Sequence, residues 1–155
     1  MEDIRATAMW SRVIVFLAGM FVASAGCEKN EQQLADSLWD NVEDRAIAYM
    51  VSTAESVFRV GEGRGFTSSE RQHMREVVDR FRPEIRAIYV DGLVEHLTRD
   101  ELSELVKRVP RGSSIHDLDR QVRRTVPPYR RARMEREINT RLMNDLAPRL
   151  FMAFQ

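Results

Sequence analysis

Few side chains in this sequence could act as a nucleophile or as a nitrogen or sulfur ligand to a metal. There is one cysteine, Cys27, and there are three histidines, His73, His96 and His116. A metal pair on one helix needs ligands three or four residues apart, and no two histidines are so spaced. His96 stands four residues before Asp100, a spacing that lets the two touch across a helix start, and a surface hydrogen bond is the expectation. No G-x-S-x-G or H-E-x-x-H signature occurs. Gly61-Glu-Gly63-Arg-Gly65 has neither a preceding strand nor the spacing of a phosphate-binding loop, so it reads as a hinge. No histidine accompanies Cys27 in a pattern that would activate its thiol. The sequence therefore names no catalytic residue, no metal ligand and no cofactor.

Guanidinium groups are the other source of chemistry. The 24 basic and 24 acidic residues cancel, which disfavours a dedicated nucleic-acid binder. The cancellation is uneven along the chain. Residues 28–65 hold 4 basic and 8 acidic groups, residues 66–110 hold 8 and 9, and residues 111–155 hold 10 and 5. Within the basic third, Arg130, Arg133 and Arg136 lie away from Met134, Ile138 and Leu142 on a helical wheel. One reading is a solvated face, docked on the acidic first helix. The other is an anion-binding surface for lipid headgroups, an acidic envelope polymer or an envelope protein, since arginine bonds anionic oxygens in bidentate fashion.

The position of Cys27 says more than its reactivity. Arg5 and Arg12 precede a charge-free run from Val13 to Cys27 that ends in Ala23-Ser24-Ala25-Gly26-Cys27. A membrane-spanning helix takes about 20 apolar residues, so a run this short fits a signal-peptide core instead. Ala25-Gly26-Cys27 resembles the lipobox of bacterial lipoproteins, with Ser24 where that family usually carries Leu. The resemblance implies cleavage before Cys27, a diacylglycerol on its thiol, and a membrane-anchored, periplasm-facing protein of the bacterial cell envelope. Two rivals remain open: ordinary cleavage after Ala23-Ser24-Ala25, giving a soluble periplasmic protein, and a buried helix of a cytosolic one. Glu2 and Asp3 are out of place in a basic leader, and translation from Met9 would remove them.

Beyond the leader, apolar residues recur with helical spacing and strand-like alternation is missing. Leu34, Leu38, Val42, Ala46 and Met50 mark a first helix that the glycines at 61–65 end. Thr67-x-x-Glu70 and Thr98-x-x-Glu101 are capping boxes that open two more, and Pro83 interrupts the stretch between them. Pro110-Arg-Gly112 is a stop, and Ser113 or Ser114 caps the helix of Ile115, Leu118 and Val122. Pro127-Pro128 precedes a last long helix, with a break expected at Pro148 before an apolar tail, Leu150–Phe154, that folds back onto the core or meets a partner. Acid-before-base pairs four apart, Glu76–Arg80, Glu104–Arg108, Asp119–Arg123 and Glu137–Arg141, support the helices. The expectation is an all-α protein: a signal peptide over 1–26, a lipidated tether over 27–33, and a single compact domain of five or six helices over 34–155.

Residues 88–110 carry a second resemblance. Leu97-Thr98-Arg99-Asp100-Glu101-Leu102, then Leu105, then Pro110-Arg111-Gly112 is similar to a segment of an uncharacterised all-helical family of exported bacterial proteins, known only as a domain of unknown function. That resemblance implies a periplasm-facing helical domain and supplies no catalytic residue. The functional expectation is a lipid-anchored envelope protein that binds or scaffolds and is not an enzyme. The alternative is a soluble exported or cytosolic helical module that uses its basic C-terminal helix on an anionic partner.

Overall fold

The computed structural model describes residues 29–155; Ala25, Gly26 and Cys27 lie outside the described residues. The chain forms α1 (Glu31–Glu62), α2 (Ser68–Arg80), α3 (Arg82–His96), α4 (Arg99–Arg108), α5 (Ile115–Thr125) and α6 (Pro128–Arg141). A π turn (Leu142–Leu146) then leads into α7 (Ala147–Phe154). The last three elements run on without a gap, so the described residues make six helical rods and no strand. The all-α expectation holds.

Local sequence sets most of the boundaries. Four helices open on reciprocal capping boxes: Asn30 with Gln33, Thr67 with Glu70, Thr98 with Glu101, and Ser114 with Asp117. Each satisfies two backbone N–H groups that the first turn would leave without partners. The Asn30 box starts α1 at Glu31, so the last residues assigned to the tether are helical. Gly63, with φ 70°, ends α1 in the left-handed conformation that glycine tolerates best. Pro83 falls in the first turn of α3, where a missing amide proton costs nothing.

Pro148 does not break the chain as expected. Its ring would meet the carbonyl four residues back in an α-helix. The preceding turn widens instead, with the Ala147 N–H bonding the Leu142 carbonyl five residues earlier, and the helix continues to Phe154.

α1 is the spine, and α2, α3, α4 and α5 all pack against it, while α6 covers the far side of α3. Trp39 is fully buried and stacks on Tyr89 of α3 with ring centroids 4.6 Å apart. Its indole N–H donates to Glu43 at 2.9 Å, so the ring is buried without stranding its polar edge. Asn41 latches α1 to the α4–α5 turn: its Nδ2 donates to the Val109 carbonyl at 2.8 Å, and its carbonyl accepts from the Gly112 N–H at 2.7 Å. Gly112 makes that turn at φ 84°.

The acidic face of α1 does meet arginines, but those of α3 and α2 rather than the basic third of the chain. Arg86 bridges Asp36 and Asp40, Arg82 reaches Glu43 and Asp44, and Arg71 pairs with Glu55. α3 follows α1 as its direct packing neighbour, which puts those charges within reach.

Candidate functional site

The seam between α3 and α6 gathers the groups with the most chemistry. Gly92 allows it: a Cβ there would lie 2.6 Å from Ile138 Cγ1 and 2.8 Å from Cδ1, closer than atoms pack. The two helices thus approach as near as a bare backbone permits. Ile85, Ile88, Gly92 and His96 follow one another at helical spacing along the buried face of α3. His96 therefore arrives at the seam one turn after Gly92, and Glu137 arrives beside Ile138. His96 Nε2 lies 2.8 Å from Glu137 Oε2. The imidazole is 6% exposed and the carboxylate 33%. Among the described residues His96 is the buried polar side chain of the core.

A second carboxylate joins this pair. Glu95 is exposed, and one donor atom each from Glu95, His96 and Glu137 lie within 4.8 Å of one another. The hydrogen bond with His96 holds the Glu137 carboxyl below its ordinary range, helped by one shared with Glu95 and by the charges of His96 and Arg141, against a smaller opposing effect of burial. Arg141 itself bonds Asp91 at 3.2 Å.

The turn beyond His96 is fixed from α6 as well. Arg130 grips Glu101 with both guanidinium nitrogens, Nη1 at 2.9 Å, and also donates to the His96 carbonyl at 3.4 Å. Glu101 in turn accepts from the Thr98 N–H at 2.9 Å as part of the α4 capping box. Burial alone would raise the Glu101 carboxyl, but the bonds from Arg130 and Thr98 outweigh it and leave the group below its ordinary value. A proton or a cation is the natural occupant of a cluster of two carboxylates and an imidazole held this way.

The sequence places these residues only in part. Arg130 is not a free anion ligand, because Glu101 occupies its fork. Arg133 and Arg136 are exposed and make no ion pair among the described residues, so the three arginines do not act as one patch. His96 meets Glu137, 41 residues away, and not Asp100. The pairs Glu104–Arg108 and Asp119–Arg123 form as expected, at 2.7 and 2.8 Å. Glu137 and Arg141 turn to His96 and Asp91 instead. One sequence signal does mark the site: His96 falls on the apolar phase of α3, where a polar residue needs a partner.

Beside the seam, α3, α5 and α6 leave an open recess of about 170 Å³. Leu93, Leu118, Val122 and Met134 line its floor, with Asp119 and Glu135 at its rim. Buried Oε1 of Glu135 has no hydrogen-bond partner, and Arg131 Nε stands off at 3.6 Å. Comparison with protein-family models, with curated proteins and with solved structures gives no match for this chain.

Proposed function

We propose that this chain is a lipid-anchored helical module of the bacterial cell envelope that faces the periplasm and works by binding or scaffolding. One observation carries the reading: Cys27 follows Ala25-Gly26 directly at the end of a charge-free apolar run headed by Arg12. A diacylglycerol on that thiol supplies the two hydrophobic chains that stable anchoring takes, and an acyl chain on the α-amine freed by cleavage would add a third, at about 0.8 kcal/mol per buried methylene. The folded domain begins soon after, at the Asn30 cap, so the lipid would hold the start of α1 at the membrane. No helix among the described residues is long and apolar enough to cross a membrane itself.

Groups left unmet at the surface support a binding role. Arg133 and Arg136 are exposed cations on α6, and Val57, Val60, Phe151 and Met152 are each more than 60% exposed. Detergent phase partitioning of wild type and Cys27→Ala tests the anchor. Wild type enters the detergent phase and Cys27→Ala stays in the aqueous phase; both forms in the aqueous phase would end the lipoprotein reading.

The second reading is a soluble exported or cytosolic module that binds an anionic partner through α6. The exposure of Arg133 and Arg136 favours it, with Arg130 removed from the set. An Arg133→Ala/Arg136→Ala variant then loses affinity for anionic vesicles, while Arg130→Ala acts chiefly on folding. Unchanged vesicle binding by the double variant contradicts it.

A further inference from the structure

The geometry of the α3–α6 seam points to a further site: we propose that Glu95, His96 and Glu137 bind a divalent transition-metal ion of the zinc class. The His96–Glu137 pair on its own would be an ordinary buried hydrogen bond. Glu95 changes that reading. It brings a second carboxylate within 4.8 Å of both the imidazole and the first carboxylate, and a positive charge held between two carboxylates this near favours the ionised form of both. His96 is buried, and its Nε2 lies 2.8 Å from Glu137 Oε2.

The donor set selects the ion. Calcium and magnesium take six or more oxygens, or keep several waters around one or two carboxylates. One imidazole nitrogen with two carboxylate oxygens suits zinc and its first-row neighbours, at about 2.0–2.2 Å from each ligand. Three protein ligands leave a fourth position to water. On binding, the metal takes the place of the proton between Nε2 and Glu137, and the neutral imidazole binds it through Nε2 with its ring proton on Nδ1.

The fold has already placed the ligands. Gly92 sets the distance between the helices, and the Arg130 bond to the His96 carbonyl fixes the end of α3 from α6. Glu95 is exposed and closes in from within 4.8 Å, while the 2.8 Å His96–Glu137 pair opens slightly to admit the ion. Arg130 and Arg141, the cations facing the cluster from α6, are held by Glu101 and Asp91.

The test is calorimetric titration of the full-length Cys27→Ala chain, stripped with chelator, with zinc chloride and separately with calcium chloride. That background removes the thiol as a rival ligand and makes the outcome independent of lipidation. One zinc per chain is expected, with calcium far weaker. Glu95→Gln and Glu137→Gln each weaken zinc at least ~10-fold, and His73→Ala/His116→Ala leaves it unchanged. Glu95→Gln alters an exposed side chain, so its circular dichroism stays that of the parent and its loss of zinc is not a loss of fold. The proposal is overturned by absent stoichiometric zinc binding, by binding that survives both glutamate substitutions, or by binding that disappears with His73 and His116.

Discussion

Two regions of this molecule join helices with the same side-chain types and use them in opposite ways. At the α3–α6 seam a polar side chain, His96, lies inside, and the backbone distance is set by Gly92 against Ile138. At the corner where α1 ends and α2 begins, the apolar groups lie inside and the polar ones outside. Phe58, Phe66 and Phe154 cluster there with centroids 4.8 and 5.3 Å apart. Arg64 lies over Phe58 at 5.2 Å and bonds Glu70 at 2.8 Å, with the guanidinium half exposed. The same helix α1 leaves Val57 and Val60 at 69% and 88% exposure. Water can replace the polar contacts of the corner, whereas in the seam the His96 imidazole is 6% exposed and depends on Glu137 for its partner. The seam should therefore be intolerant and specific, and the corner's surface plastic.

The sharpest way to break this contrast is Gly92→Leu. Forcing a side chain into the space of Ile138 pushes α6 off α3, at a cost of about 3 kcal/mol, read from urea unfolding. A cost under about 1 kcal/mol would mean the seam is not tight. Next come the two threonine caps, each worth about 1 kcal/mol on substitution by alanine. Thr98→Ala should cost more than Thr67→Ala, because Thr98 positions Glu101, which holds Arg130 against the end of α3. Equal losses would show that the chain of contacts through Arg130 contributes nothing. Val60→Ser should change stability by no more than about 0.5 kcal/mol, as befits a side chain that is already wet.

The smallest effect is a pH dependence at the corner. Hydrogen bonds from Arg64, and then from Thr67, hold the Glu70 carboxyl down to about 2, against an ordinary value of 4.5. A carboxyl depressed in the folded state stabilises fully above its unfolded value and loses that contribution as the pH falls. The advantage of wild type over Glu70→Gln in urea melts is thus constant above pH 4.5 and shrinks toward pH 2. An advantage that persists at pH 2 contradicts the assignment.

What could be read from the sequence divides along the same line. Capping boxes at Thr67 and Thr98 were legible because their partners lie three residues away in the chain, while at α5 the sequence offered Ser113 or Ser114 as the cap and the structure selects Ser114 with Asp117. The Asn30–Gln33 box obeys the same rule and sets the start of α1 ahead of its first apolar residue, Leu34. Glu104–Arg108 was legible for the same local reason. The His96–Glu137 contact was not, since it depends on which helix packs beside α3, and spacing along one helix offered Asp100 and Arg141 as nearer partners. The partner of the acidic face of α1 was hidden likewise, because net charge by thirds points to the C-terminal region while packing order puts α3 there. Pro148 shows the opposite limit: the residue predicts a break, and one widened turn relieves it.

Lipidation at Cys27 is tested most directly by the intact mass of the protein extracted from bacterial membranes. The expected product begins at Cys27 and carries the added mass of a diacylglycerol, with or without a third acyl chain. A mass matching an unmodified chain, whether it begins at Met1, Met9 or Gly26, would contradict it.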